Sequence, residues 1–298
     1  MQRDRLDLYA KLGAVNDVVV EKQASVSSGW EAQLALHYAR HGQRTVLERR
    51  EHRGPLVVQK PLYPEGEAVC QTIVVHPPAG IAGGDRLALD IRVGERAHAQ
   101  ATTPGAAKWY RSSGAAASQK LMLSVASDAV LEWLPQESIF FDGALATLET
   151  EIALAGNAVL LAWDIACLGR RLSGERWNRG RLRQRLTLRR DGVRQWSERA
   201  IVDGGSELLR SGVGLNGRTV FGTFLASAPE IPDDLLAACR VIGCDEGEAA
   251  VTRLPGVLVA RYLGDSPEVA RRCFSALWAL ARDALAHRSA VPPRIWST

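Results

Sequence analysis

One short stretch of the sequence places an imidazole and a carboxylate at the two ends of a tightly constrained loop. His76 opens the stretch and Asp85 closes it, and both side chains can bind a divalent metal ion or hydrogen-bond to backbone groups. Prolines fix the backbone angle φ, whereas glycines adopt conformations that other residues avoid. The prolines and glycines between them are Pro77, Pro78, Gly80, Gly83 and Gly84. We predict a structural loop between strands, in which His76 and Asp85 either contact an ion or brace the turn.

Sequence motifs of several common enzymes are absent. The glycines at positions 80–84 lack the spacing and the lysine of a nucleotide-binding P-loop. Ser206 follows two glycines but lacks the final glycine of a nucleophile elbow. Cys239 and Cys244 do not form a C-x-x-C motif and have no histidine nearby, so a structural zinc site is not predicted. The residues alone leave open a scaffold, a metal-handling protein or an unrecognised hydrolase.

Composition and charge narrow the class of protein. The 298 residues are 46% hydrophobic and 23% charged, with a formal net charge of +4, which does not predict a nucleic-acid partner. Five scattered cysteines, an odd number, indicate reduced thiols in a cytosol. The N-terminus mixes charges, and no apolar run of about 18 residues occurs. We therefore expect a cytoplasmic protein with no export signal and no membrane span.

Alternating apolar and polar residues predict that β-strands form most of the chain. Residues 30–38 alternate in this way, and further strands follow without long helices between them. This pattern favours a β-dominated fold over a parallel sheet with helical crossovers. The Ser-Pro-Glu sequence at 266–268 predicts the start of a long C-terminal helix with an apolar stripe. We predict an at most partly ordered N-terminal extension over residues 1–28 and a single domain over residues 29–298.

A basic hairpin is predicted near the middle of the chain. Asp191 and Gly192 suit a two-residue turn between two strands. The arginines assigned to the outer face of this hairpin are Arg181, Arg183, Arg185, Arg189, Arg190 and Arg194. That face is either solvated or a docking surface for an acidic partner.

A series of motifs occurs in a fixed order along nearly the whole chain after residue 28. The motifs comprise residues 29–30, 54–61, 64–66, 70, 76–78, 80–81, 83–85, 102–111, 132–137, 168–170, 174–175 and 293–296. In this order they resemble the UreD family of urease accessory proteins, called UreH in some organisms. Two positions depart from the family pattern: Gln71 stands where histidine is common, which argues against a Cys-His metal pair at Cys70, and Ala79 stands where glycine is common. Ala79 predicts that its position does not require a positive φ.

The resemblance implies a maturation factor that is not an enzyme. Family members bind the urease apoprotein and, with UreF and the GTPase UreG, support nickel insertion into the urease active site. UreG is reached through UreF and hydrolyses GTP, which agrees with the missing P-loop. The resemblance also implies a mainly β fold, with stacked sheets in a β-helix-like or solenoid-like arrangement and a few helices.

The resemblance further implies an internal polar passage for transient nickel, with no permanently bound cofactor. Such a passage needs oxygen and occasional imidazole ligands that also release the ion, so no tight metal site is predicted. Our hypothesis names as lining residues Glu65, His76, Asp85, Asp142 and Glu175. Each of them could instead brace a turn.

Two alternatives to a nickel passage remain open. A metal-dependent hydrolase using His76 and Asp85 would hold its metal tightly and turn over without partners. A purely structural adaptor would bind the same partners but tolerate changes to its interior carboxylates.

Overall fold

Strands dominate the computed structural model, which describes residues 29–297. The predicted N-terminal extension, residues 1–28, lies outside the described residues. One sheet has seven strands. In spatial order its strands are β15 (Val193–Asp203), β14 (Arg181–Arg190), β12 (Leu145–Leu154), β9 (Ala117–Val125), β6 (Arg86–Val93), β1 (Glu31–His41) and β2 (Arg44–Arg53).

A second sheet faces the first. In spatial order its main strands are β17 (Glu248–Leu254), β18 (Val257–Gly264), β16 (Val220–Ser227), β13 (Val159–Leu168), β10 (Val130–Leu134), β7 (His98–Thr102), β4 (Val69–Val75) and β3 (Val57–Val58). Three short strands branch from it: β5 (Gly80–Ile81), β8 (Ala107–Trp109) and β11 (Ser138–Phe140).

The chain winds between the two sheets as a solenoid. It passes from β6 in the first sheet to β7 in the second, through the short strand β8, and returns to β9 beside β6. The next coil repeats this path through β10 and β11 to β12. Neighbouring strands in the stack are therefore parallel, and the facing sheet supplies the crossover that a helix usually provides. The predicted β-dominated, solenoid-like fold is confirmed.

Apolar side chains stack in register through the coils. One ladder crosses β1, β6, β9, β12 and β14, and every member is at most 3% exposed. The ladder consists of Leu36, Ile91, Leu123, Ile152 and Leu188. Burying each such side chain stabilises the fold by roughly 1.5–3 kcal/mol. The period-2 patterns in the sequence thus give the coil its interior face.

Two α-helices cover the outer face of the second sheet. They are α1 (Asp233–Arg240) and α2 (Pro267–Ala286), and short 3₁₀ turns occur at Arg171–Ser173, Glu207–Leu209 and Arg294–Ser297. The predicted long C-terminal helix is confirmed, since α2 begins directly after Ser266 and has 20 residues. The Ser266 side chain caps α2 by accepting a hydrogen bond from Val269 N at 3.2 Å. No helix within residues 29–297 is long and apolar enough to cross a membrane.

A buried carboxylate ties α2 to the second sheet. Glu132 on β10 accepts hydrogen bonds from Trp278 Nε1 at 2.6 Å and Arg282 Nε at 3.0 Å, and its Oε1 lies 2.5 Å from His98 Nε2. Burial opposes ionisation, but the hydrogen bond and charge of His98, with help from Arg282 and Trp278, lower the pKa of Glu132 to about 2. Because Glu132 is ionised and fully paired, it fixes the helix on the sheet.

One arginine of the hairpin does not lie on its outer face. The hairpin forms as predicted from β14 and β15, but Arg190 is only 8% exposed. Its guanidinium donates to Ala158 O at 2.9 Å and to Ser227 Oγ at 3.0 Å. The strand pairing places Arg190 at the end of β14 on the interior side, so the prediction was wrong for this residue.

Candidate functional site

The loop between β4 and β6 is held by its terminal carboxylate. Asp85 Oδ1 accepts from Trp30 N and Oδ2 accepts from Ala82 N, both at 2.8 Å. A Cβ on Gly29 would lie only 2.0 Å from the Gly84 carbonyl carbon, so the two chain segments touch backbone to backbone. Asp85 thus joins the loop to the start of β1.

The loop makes a tight turn at Ala79. The Ala79 N–H donates to His76 O at 2.8 Å, and Ala79 has a φ of +59°. The prediction that this position does not require a positive φ was therefore wrong. The turn itself dictates the left-handed conformation, which alanine adopts only at a cost of about 1–2 kcal/mol.

Three of the proposed lining residues are engaged by nearby donors. Glu65 Oε2 lies 2.8 Å from Arg282 Nη2. Asp142 accepts from the backbone N–H groups of residues 178 and 179 at 2.8 and 2.7 Å, and Glu175 accepts from Arg170 Nε at 3.1 Å. Burial opposes ionisation of Asp142, but these backbone donors and the Arg179 side chain lower its pKa. The hydrogen bond from Arg170 likewise lowers the pKa of Glu175.

A cavity of about 260 Å³ lies between the two sheets. Its wall is largely apolar, because the inner faces of both sheets are. The polar side chains that line it include His76, Gln119, Asp164, Gln184, Glu198 and Thr223. His76 is the lining residue that the sequence-based hypothesis shares with the cavity. Burial lowers the pKa of His76, against the opposing charge of Asp85, which favours the neutral imidazole that can bind a metal.

Asp164 is one of the two carboxylates that line this cavity. It lies on β13, where it is the one residue of the strand that is not fully buried. Gln184 Nε2 on the facing sheet donates to Asp164 Oδ2 at 2.7 Å. Burial, reinforced by the negative charge of Glu198, raises the pKa of Asp164 to about 6 despite that hydrogen bond. A cation close to Asp164 would therefore stabilise the ionised form of its carboxyl group.

Strand register aligns further polar groups with Asp164. Thr223 on β16 pairs with Asp164, and Arg261 on β18 pairs with Thr223. Glu198 projects from β15 on the opposite sheet and accepts from Arg261 Nη1 at 2.7 Å. A polar row thus crosses the interior, with carboxylates contributed by both sheets.

Asp164 and Glu198 were missed from the sequence. The signal for Asp164 is its isolation, since it is the one charged residue in the run Val159–Leu168. Glu198 gives no such signal because it lies in a strand rich in polar residues. Among the proposed residues, Glu65, Asp85, Asp142 and Glu175 do not line this cavity.

The interior carboxylates do not amount to a closed metal site. Within residues 29–297, no group of three or more His, Cys, Asp or Glu side chains is placed to hold a metal ion. At position 71, the buried Gln71 side chain instead donates to Gln100 Oε1 at 2.5 Å, beside the buried Cys70. The carboxylates that line the cavity are Asp164 and Glu198.

Fold and site together define a β-solenoid protein with a carboxylate-bearing interior cavity. A sequence profile described as "UreD urease accessory protein" matches residues 31–297. A urease accessory protein UreD from Dechloromonas aromatica is 54% identical over 280 residues, covering 93% of this chain and 97% of the relative. Those from Azoarcus sp. (52% identical; 91% and 95% covered) and Pseudomonas aeruginosa PAO1 (54%; 92% and 97%) match equally broadly. The chain belongs to the UreD family of urease accessory proteins.

Proposed function

We propose that this protein binds the urease apoprotein in the cytoplasm and, with UreF and the GTPase UreG, supports nickel insertion. In this role it is not an enzyme, and the interior cavity carries the ion toward urease. The observation that supports the passage most directly is the pair Asp164 and Glu198 facing each other across the cavity.

The chemistry of the site suits transport of an ion. A divalent ion between Asp164 and Glu198 would relieve the repulsion that, together with burial, raises the pKa of Asp164. The amide of Gln184 and the hydroxyl of Thr223 supply further oxygen atoms. Because the site has so few ligands, it would bind an ion weakly, and a passage must release the ion that it carries.

The experiment removes both carboxylates without changing side-chain volume much. The double variant Asp164→Asn/Glu198→Gln should lower nickel incorporation into urease by about tenfold or more, since losing about 1.4 kcal/mol of ion stabilisation has that effect. Nickel is measured by mass spectrometry of urease matured with the full-length chain and the other accessory proteins. Co-purification shows whether each variant still binds its partners.

The matched control removes two carboxylates from the solvent face of the first sheet. Glu149 and Glu151 lie exposed on β12, so Glu149→Gln/Glu151→Gln should leave nickel incorporation unchanged. Normal incorporation with the interior double variant would contradict the passage and favour a purely structural adaptor. Tight stoichiometric metal and turnover by the isolated chain would instead support a hydrolase using His76 and Asp85.

A further inference from the structure

Arg261 contacts Glu198, one of the two carboxylates that line the cavity, from the solvent side. Its Nη1 donates to Glu198 Oε1 at 2.7 Å and to Thr223 Oγ1 at 3.3 Å. The Arg261 side chain is 49% exposed, whereas that of Glu198 is 23% exposed. Arg261 therefore lies between a cavity-lining carboxylate and the solvent.

The surrounding strands position this guanidinium. Arg261 stands beside Thr223 in the strand register, and its guanidinium carbon lies 5.9 Å from the centre of the Trp196 ring. Asp164, by contrast, forms no ion pair within residues 29–297 and accepts from the neutral Gln184. One of the two interior carboxylates thus has a permanent cation beside it and the other does not.

We propose that Arg261 is a built-in counter-cation that competes with a divalent ion for Glu198 and so speeds the ion's release. This inference rests on the proposed function and concerns how the passage releases the nickel ion. A divalent ion that approaches Glu198 must displace the guanidinium. When the guanidinium returns, the carboxylate is neutralised again and the ion is free to leave.

The size of the effect follows from ordinary electrostatics. A nearby arginine typically weakens the hold of a carboxylate on a proton by about tenfold or more. The affinity of the carboxylate for a divalent ion should change in the same direction. Because half of the Arg261 side chain is exposed to screening by water and salt, we expect a change of about three- to tenfold.

The test compares three single variants of the full-length chain. Arg261→Gln removes the charge but keeps an amide donor, and Arg261→Lys keeps the charge. The control Arg272→Gln breaks an exposed ion pair of similar geometry on α2, where Arg272 Nη2 lies 3.0 Å from Asp245 Oδ2. Ni²⁺ affinity is measured by equilibrium dialysis, release by stopped-flow transfer to a chelator, and folding by thermal unfolding.

Arg261→Gln should bind Ni²⁺ about three- to tenfold more tightly and release it more slowly, while Arg261→Lys and Arg272→Gln resemble the unmodified protein. No gain in affinity with Arg261→Gln, whatever the starting affinity, overturns the inference. Tighter binding that persists when Asp164→Asn/Glu198→Gln is added also overturns it, because the ion would then lie elsewhere. If nickel incorporation depends on Asp164 and Glu198 while Arg261→Gln changes nothing, the passage stands and the counter-cation role fails.

Discussion

Glu132 and Asp164 show that the partners of a carboxylate decide whether the effect of burial on its pKa is overcome. Glu132 is surrounded by His98, Arg282 and Trp278, and its pKa falls to about 2 although burial opposes ionisation. For Asp164, burial and the charge of Glu198 raise the pKa to about 6. Glu132 is a satisfied structural anchor, whereas Asp164 is a residue kept at a cost in stability. Such a cost is typical of a functional position.

The first prediction concerns Asp164→Asn and stability. The folded-state pKa of about 6 lies above the ordinary 3.8, so Asp164 destabilises the fold as pH rises from about 4 through 6. Asparagine does not titrate and can still accept from Gln184. At pH 7.5 the variant should be more stable by about 1–3 kcal/mol, with the difference vanishing near pH 3.5. Urea unfolding at three pH values measures this.

An exposed aspartate provides the comparison. Asp283 lies exposed on α2, so Asp283→Asn should change the free energy of unfolding by less than about 0.5 kcal/mol. A stability difference for Asp164→Asn that does not grow with pH would contradict the raised pKa.

Individual elements differ in how much of their structure is readable from sequence. The cap and apolar stripe of α2 depend on residues a few positions apart, and both were predicted. The pairing of Asp164 with Gln184 and Glu198 depends on which strands face each other across two sheets. Likewise, the turn at Ala79 follows from how the loop closes rather than from the residue type. Local signals therefore gave the elements, while the site needed the tertiary register.

The second prediction tests the strained turn. Ala79→Gly relieves a left-handed alanine but frees the unfolded chain, so the net gain in stability should be about 0.5–1 kcal/mol. The control Ala82→Gly changes the same loop where φ is not positive and should lose about 0.5–1 kcal/mol. Chemical unfolding of both variants measures these changes. A loss of stability with Ala79→Gly would contradict the prediction that the turn is strained.

The cavity lies between the two stacked sheets, where the rows of inward-facing side chains include polar residues. Leu87 on β6 is followed across the first sheet by Gln119, Leu148 and Gln184, in place of an unbroken apolar row. The side chains of this row do not fill the space between the sheets, and a cavity of about 260 Å³ remains. Cavities usually cost stability, so a larger apolar side chain should be tolerated in this one.

The last prediction fills the cavity while leaving the carboxylates in place. Ala162 lines the cavity two residues before Asp164, so Ala162→Leu should bury extra methylene groups and raise the free energy of unfolding by about 1 kcal/mol. Ala166, on the same face of β13, is 1% exposed and does not line the cavity, so Ala166→Leu should cost about 1–3 kcal/mol. If ions pass through the interior, Ala162→Leu lowers nickel incorporation into urease although the protein is more stable and still co-purifies with its partners. Full incorporation with this stable, filled variant would mean that nickel takes another path.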